Sequence, residues 1–446
     1  MNSRVKRQSI DKRLVATKKV ADKVDHLGDS DYRMLADGYF VHNDTHRTRI
    51  SNNDLICGGT GMNKTIGYIN PLIRQMCGSM IISDTKDTLY ELHGDYLREN
   101  GYKVYRLDIV TGRDSCAYNP LEYVKYDAET DTFNERDIVS LAKMLCNFNS
   151  EHDKFWNESA QILLTALISY ILEATPFSDH HMNSIKKLFN LANNPSKLNA
   201  IMEELGTENP SSFAYNRFKT YKMVVQAEKT HACVLMFAAN AINNFDCKET
   251  RNVFESRNDL KFEDIGKEKT AFFINMSDRD HSMDNIIGLL YRDLLDKLIT
   301  YAESLPEKRL PVPVRFIMDD FSAGCRIEDF SKIISVIRSR EISVSLVIQN
   351  ISQLEEGYTK QEARTIIANC AHILFLGSSD NETIDYFSRK MNVPFNKIQN
   401  MTVEDAYLFE AGNPKGGMKV KKYYPPEIKA SLEKYAKLVE KEQMSK

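Results

Sequence analysis

The chain has 446 residues, of which 42% are hydrophobic and 27% charged, with a formal net charge of −3. That length exceeds what one hydrophobic core usually supports and predicts two domains, or one enlarged by an insertion. The composition is that of an ordinary soluble globular protein, and the near-neutral balance excludes global charge as a partner signal, so any phosphate-binding surface must be local.

In chain order, residues 1–30 are polar and basic, with Arg4, Lys6, Arg7, Lys12, Arg13, Lys18, Lys19 and Lys23 among them. They read as an arm or one exposed helix, either a solvated tail or a segment that binds phosphate or lipid. The run YFVHNDTH at 39–46 suggests a short hairpin turning at Asn43-Asp44. Apolar segments at Leu55–Cys57, Met80–Ser83, Thr270–Asn275, Arg315–Asp319, Ser343–Ile348 and His372–Leu376 read as buried parallel strands with helical patterns between them. The alternation stops from Asp137 to about Arg257, where helix formers dominate, as in FWNESAQILLTALISYILE, and Pro176, Pro195 and Pro210 punctuate the stretch. A helix near Asp380–Met391, a β segment near Ala406–Phe409 and a charged helix from Pro425 complete the chain. The expected division is an arm (1–30), an α/β domain in two parts (31–136 and 258–424), an all-α domain (137–257) and the C-terminal helix (425–446).

The eight cysteines form no C-x-x-C pair, which points to buried thiols in a reducing compartment rather than zinc or disulfides. The best apolar run, Ile162 to Leu172, falls short of the roughly 18 residues a membrane span needs, and the first residues lack the apolar stretch of a signal peptide. The expected location is the cytoplasm.

The strand Leu55-Ile56-Cys57 runs into Gly58-Gly59-Thr60-Gly61-Met62-Asn63-Lys64-Thr65, followed by a helical pattern. This is the context of a phosphate-cradling loop. Glycines let backbone N–H groups face phosphate oxygens, Lys64 reaches the β- and γ-phosphates, and Thr65 can ligate magnesium. Asn63 stands where the pattern G-x-x-x-x-G-K-[ST] has its second glycine, and Asn is the side chain that best tolerates a left-handed backbone. A glycine-rich turn without nucleotide is the competing reading of this motif alone.

Downstream, Val314-Arg315-Phe316-Ile317-Met318 ends in Asp319-Asp320 at the sheet edge where ligands of parallel sheets bind. Asp319 would serve the magnesium shell, and Asp320 would stand where many P-loop ATPases use Glu to polarise water. Gln349 ends the next strand as a candidate γ-phosphate sensor, or as a buried amide satisfied by backbone. Arg338 and Arg340 are candidate arginine fingers or plain surface charges, and sequence alone favours the surface.

These segments together resemble the TraG-like family of conjugative coupling proteins. The resemblance is carried by LADGYFVHNDTHRTR, GGTGMNKT, SDTKDTLYE, GYKVYRLD with YNPLEY, DKFWNESAQILLTALISYI, VRFIMDDFS, IRSREISVSLVIQNISQLE and NCAHILFLGSSDNET, spanning residues 36 to about 390. It implies an α/β, RecA-like P-loop domain with an inserted all-α domain, arranged as a ring of six on DNA. It maps Lys64 and Thr65 to ATP and Mg2+, Asp319 to the magnesium shell, Asp320 to the catalytic acid, Arg338 to the finger and Gln349 to the sensor. Implied partners are single- and double-stranded DNA, a relaxase or relaxosome, and membrane-embedded type IV secretion components. Departures from the family pattern are Asn63 for Gly, Asp320 for Glu, and Thr85 and Asp87 in a strand-end motif that usually reads Asp-Pro-Lys-Gly. Typical members also begin with membrane helices, so this chain is expected to reach the inner face of the membrane through a partner. The function implied is an ATP-driven coupling protein. The alternatives are an adaptor that recruits the relaxase complex without turning over ATP and, less favoured, a chromosome-partitioning pump of the FtsK type.

Overall fold

The computed structural model describes residues 30–146, 153–321 and 325–429. The basic arm lies outside the described residues, as does all but the first turn of the helix expected after Pro425.

Nine strands form the main sheet: β3 (Asp54–Gly58), β4 (Ser79–Asp84), β5 (Lys103–Asp108), β8 (Thr270–Asn275), β9 (Val314–Met318), β10 (Ile342–Ile348), β11 (His372–Gly377), β12 (Asp405–Glu410) and β13 (Met418–Lys421). The other four strands among the described residues make two small hairpins, β1 (Tyr32–Ala36) with β2 (Tyr39–His42), and β6 (Tyr126–Asp127) with β7 (Thr132–Phe133). The sheet order is β13-β12-β11-β3-β10-β9-β4-β8-β5. From β11 to β5 every pairing is parallel; β12 and β13 add antiparallel at one edge.

The six apolar segments read as strands all lie in this sheet, in parallel register. Strand periodicity divides their side chains between two covered faces. Leu55, Cys57, Ile81, Phe316, Leu346 and Phe375 face one core, shared with the long helix Asp284–Ser304 and the helices that follow β7. Ile56, Ile82, Ile317, Val347 and Leu376 face the other, where Tyr68, Ile69, Leu72 and Leu89 pack. Burial on both faces explains why these strands read as continuous apolar runs. β5 (KVYRLD) and β13 (MKVK) read poorly because each is an edge strand of mixed polarity.

Between Glu135 and Glu255 the described residues carry only helices, the longest being Lys154–Ala174. Helix ends fall beside the prolines: Ala174 before Pro176, Pro195 at the start of its helix, and Glu208 before Pro210.

The expected hairpin at 39–46 is corrected. Its turn lies at Asp37-Gly38, and Asn43-Asp44 leads instead into the helical turn Thr45–Thr48, which Asp44 caps by accepting from the His46 and Arg47 backbone amides. The same short polar side chain that suits a turn also suits an N-cap, and here the cap wins. That hairpin is pinned to the sheet through Arg33. Its Nε and Nη2 donate to Asp54 Oδ2 and Oδ1 at 2.8 Å each, and Arg315 Nη1 and Tyr68 Oη also donate to Asp54 at 3.1 and 2.9 Å.

Candidate functional site

The loop after β3 keeps the cradle geometry. Gly61 has φ +77° and Asn63 has φ +70°, so Asn63 occupies the left-handed conformation that a glycine would supply. Its side chain adds something a glycine cannot: Nδ2 donates to the Tyr423 carbonyl at 2.9 Å, tying the loop to the chain just past β13. Gly67 makes room for this bond, because a Cβ there would sit 2.5 Å from Asn63 Nδ2 and 2.9 Å from the Tyr423 oxygen. The first turn after the loop, Thr65–Ile69, is π-helical and runs into Asn70–Arg74. Pro71 stands in that second segment and has no N–H for the ordinary ladder, which favours the wider turn.

Lys64 Nζ donates to the Gly58 and Gly59 carbonyls at 2.8 and 3.3 Å, holding the ammonium over the loop. Thr65 Oγ1 lies 3.5 Å from Asp319 Oδ2 at the end of β9. Asp320, at φ +48°, donates its amide to Asp319 Oδ1 at 3.1 Å, and its own Oδ1 accepts from Gln349 Nε2 at 3.1 Å. Residues from β3, β9 and β10 thus converge at the C-terminal edge of the sheet. They line a cleft of about 330 Å3 that also takes in Asp84, Thr85, Lys86 and Thr88. A second cleft of about 210 Å3 continues it past Asp319 toward Ser277, Asp278 and His281 after β8. A larger cleft of about 860 Å3 opens beside the hairpin and residues 305–313; it holds none of these groups.

Burial raises the Asp319 carboxyl to about 6; neighbouring Asp320 pushes the same way and Lys64 pulls against it. A buried carboxylate short of positive charge, beside a threonine hydroxyl, is the hard-oxygen donor pair that suits magnesium. The residues therefore fit a nucleotide-bound magnesium, with Thr65 and Asp319 as ligands and Lys64 with the loop amides as phosphate donors. When bound, the metal would neutralise phosphate charge. Of this chain's own groups, Asp320 can accept a proton from water and Gln349 fixes its orientation.

Asp87 mirrors Asn63. It stands where the strand-end motif usually has glycine, adopts φ +55°, and its carboxylate accepts from Arg106 Nε at 3.0 Å. Asp84 of the same motif accepts from the Thr88 and Tyr90 amides at 3.0 and 2.8 Å and so starts the following helix.

Arg338 is not brought to the cleft. It lies on the 3-10 turn Ile337–Arg340 ahead of β10, at the opposite edge of the sheet, and donates from Nη2 to the Thr45 carbonyl at 3.4 Å. The seven residues of β10 put roughly 20 Å between it and Gln349. Sequence reading missed the Lys422–Tyr423 segment beside the loop, because contacts between residues 63 and 423 leave no local signal.

A parallel sheet with a glycine-rich loop and acidic strand ends at one edge, and a helical domain between two of its strands, defines a RecA-like P-loop nucleotide-binding fold. The model of the family described as "Type IV secretory system Conjugative DNA transfer" matches residues 4–393, and the chain belongs to that family. Protein VirD4 of Rhizobium radiobacter is 21% identical over 358 residues, covering 80% of this chain and 50% of that one. Protein VirD4 of Agrobacterium fabrum is 20% identical over 358 residues, covering 80% and 52%. The chain thus spans about half the length of these curated relatives. Among solved structures, the bacterial conjugative coupling protein TrwBdeltaN70 in its unbound form superposes with a TM-score of 0.66 at 16% identity, covering 94% of this chain and 92% of that one. The plasmid coupling protein TrwB in complex with ADP and Mg2+ gives 0.65 at 16% identity, covering 93% and 92%.

Proposed function

We propose that this chain binds Mg-ATP in the loop cradle and uses its turnover to move DNA, as the coupling protein of a conjugative type IV secretion system. It receives a relaxase-bound strand and passes it to membrane-embedded channel components. The observation that carries this reading is the meeting of Lys64, Thr65, Asp319, Asp320 and Gln349 around one cleft, with Asn63 holding the backbone of the missing glycine. Family membership supports it, and so does the likeness to TrwB, whose structures include complexes with an ATP analogue and with ADP and Mg2+.

In this reading Lys64 and the loop formed by Gly58, Gly59, Thr60, Gly61, Met62, Asn63 and Thr65 hold the phosphates, and Thr65 and Asp319 hold the metal. Asp320 orients water and Gln349 senses the γ-phosphate. Arg338, remote from its own cleft, acts on a neighbouring copy in a ring of six around DNA. The test is ATP turnover of the full chain with and without single-stranded DNA. Stimulation by DNA is expected. Nucleotide binding without turnover under either condition would favour the adaptor reading, in which the chain recruits the relaxase complex only.

A further inference from the structure

Along β13, alternate side chains face opposite ways. Lys419 and Lys421 are exposed and donate to Asp405 at 2.8 and 2.9 Å, while Val420 is buried in the core that holds the phosphate-loop helix. Lys422 follows in phase with Val420 and is only 4% exposed, so a lysine occupies a register where the core calls for an apolar residue. Its Nζ meets Met62 Sδ of the phosphate loop at 3.9 Å, a weak acceptor for an ammonium. The charged groups around it do not offset this. Asp405 is engaged by Lys419, Lys421 and Thr402 Oγ1, Glu404 pairs with Lys421, and the loop's own Lys64 is a second cation. Burial pushes the Lys422 amine down to about 8, with Asp405 acting in the opposite sense.

The backbone around this amine is fixed on both sides. Lys422 N donates to the Glu404 carbonyl at 2.8 Å, and the Tyr423 carbonyl accepts from Asn63. Strand order sets its direction from the site. The acids and Gln349 follow β9 and β10, on one side of β3, while β11, β12 and β13 lie on the other. A nucleotide with its γ-phosphate at Asp320 and its nucleoside across β3 from the acids would bring its ribose or base to the Lys422 side. We propose that Lys422 is a nucleotide-recognition residue whose ammonium donates to an acceptor on the ribose or base. This rests on the nucleotide-binding reading above, and gives a buried, poorly partnered cation its counterpart only in the bound state.

The test is calorimetric titration of the full chain and of Lys422→Met with Mg-ATP and with Mg-tripolyphosphate, at pH 8 in two buffers of different ionisation enthalpy. Wild type should take up a fraction of a proton on binding ATP, and Lys422→Met should not. The variant should bind ATP about tenfold more weakly, the worth of one hydrogen bond to a charged group, and tripolyphosphate equally well. Should Lys422→Met fail to fold, Lys422→Gln gives the same comparison. Equal ATP affinity and equal proton uptake would overturn the assignment, and so would an equal loss for both ligands, which would place the amine on the phosphates. Wild type that binds neither ligand would overturn the nucleotide-binding reading itself, whereas wild-type binding with an unaffected variant would remove only Lys422.

Discussion

Gln349 Nε2 donates to Asp320 Oδ1 at 3.1 Å, so the side chain that follows β10 holds the carboxylate that follows β9. The neighbouring carboxyl, Asp319, faces Thr65 instead. The two acids therefore separate by partner, Asp319 at Thr65 and Asp320 at Gln349, which in the proposed function are the metal and water positions. Asp320→Asn should lower turnover on the order of a hundredfold or more with nucleotide affinity unchanged, while Asp319→Ala should weaken magnesium-dependent binding. Identical loss of affinity in both variants would erase the division. Asp320→Glu extends the reach of the acid by a methylene and is expected to raise turnover, though a Glu at φ +48° is less at ease than Asp and should lower stability by about 1 kcal/mol.

The Asp319 carboxyl, raised to about 6 by burial and by Asp320, gives a pH signature. The folded chain binds this proton more tightly than the unfolded one, so between about pH 4 and 6 its contribution to stability falls as pH rises. Above that window the buried charge is a net cost. Asp319→Asn should therefore stabilise the nucleotide-free protein at pH 7.5 by on the order of 1 to 3 kcal/mol and have little effect at pH 4. Denaturant melts at the two pH values measure it. Magnesium affinity of the wild type should fall as pH drops through 6, since the ligand must be deprotonated.

Asn63 bonds across 360 residues to Tyr423, and this separates two roles of one side chain. Asn63→Gly keeps the left-handed backbone but loses the bond, so it should bind ATP normally and lose about 1 kcal/mol of stability. Asn63→Ala loses both and should weaken binding as well. A Gly variant that binds ATP much better than wild type would show that the asparagine obstructs the cradle.

The α/β class, six of the seven parallel strands and the loop were legible because burial on both faces leaves unbroken apolar runs such as Ser343–Ile348. Glycine spacing and strand-end acids then mark one edge. The register of β5 and β13 was not legible, since edge strands need no such runs. Asn43-Asp44 was read as a turn because cap and turn share the same chemistry. Asn63 and Asp87 depart from glycine positions of the motifs; Asn63 has the left-handed backbone its residue type suggested, Asp87 has it as well, and each makes a side-chain bond that a glycine cannot.

Asp54 gathers Arg33, Arg315 and Tyr68 at the opposite sheet edge; burial acts to raise its carboxyl, but the Arg33 and Arg315 guanidinium groups and a hydrogen bond with His372 hold it far below the usual range. Asp54→Ala should cost about 3 to 5 kcal/mol by leaving buried guanidinium groups unpaired. A double variant with Arg33→Met should recover part of that loss. Thermal melts of the three proteins decide the point.

DNA binding by a motor grips backbone and stacked bases, so it should be salt-sensitive and largely indifferent to sequence. Removing residues 4–23 should flatten the dependence of affinity on salt; an unchanged slope would assign the arm to another role.

In the proposed ring, a neighbouring copy completes turnover at each nucleotide site. Mixing Arg338→Ala chains with Lys64→Ala chains on single-stranded DNA tests it most directly, because only interfaces that join the intact cleft of one to the intact arginine of the other can act. Each variant alone should be nearly inactive, and the mixture should regain a measurable fraction of wild-type ATP turnover. No recovery at any ratio, with wild type active under the same conditions, would contradict the assignment of Arg338 as a finger acting on its neighbour.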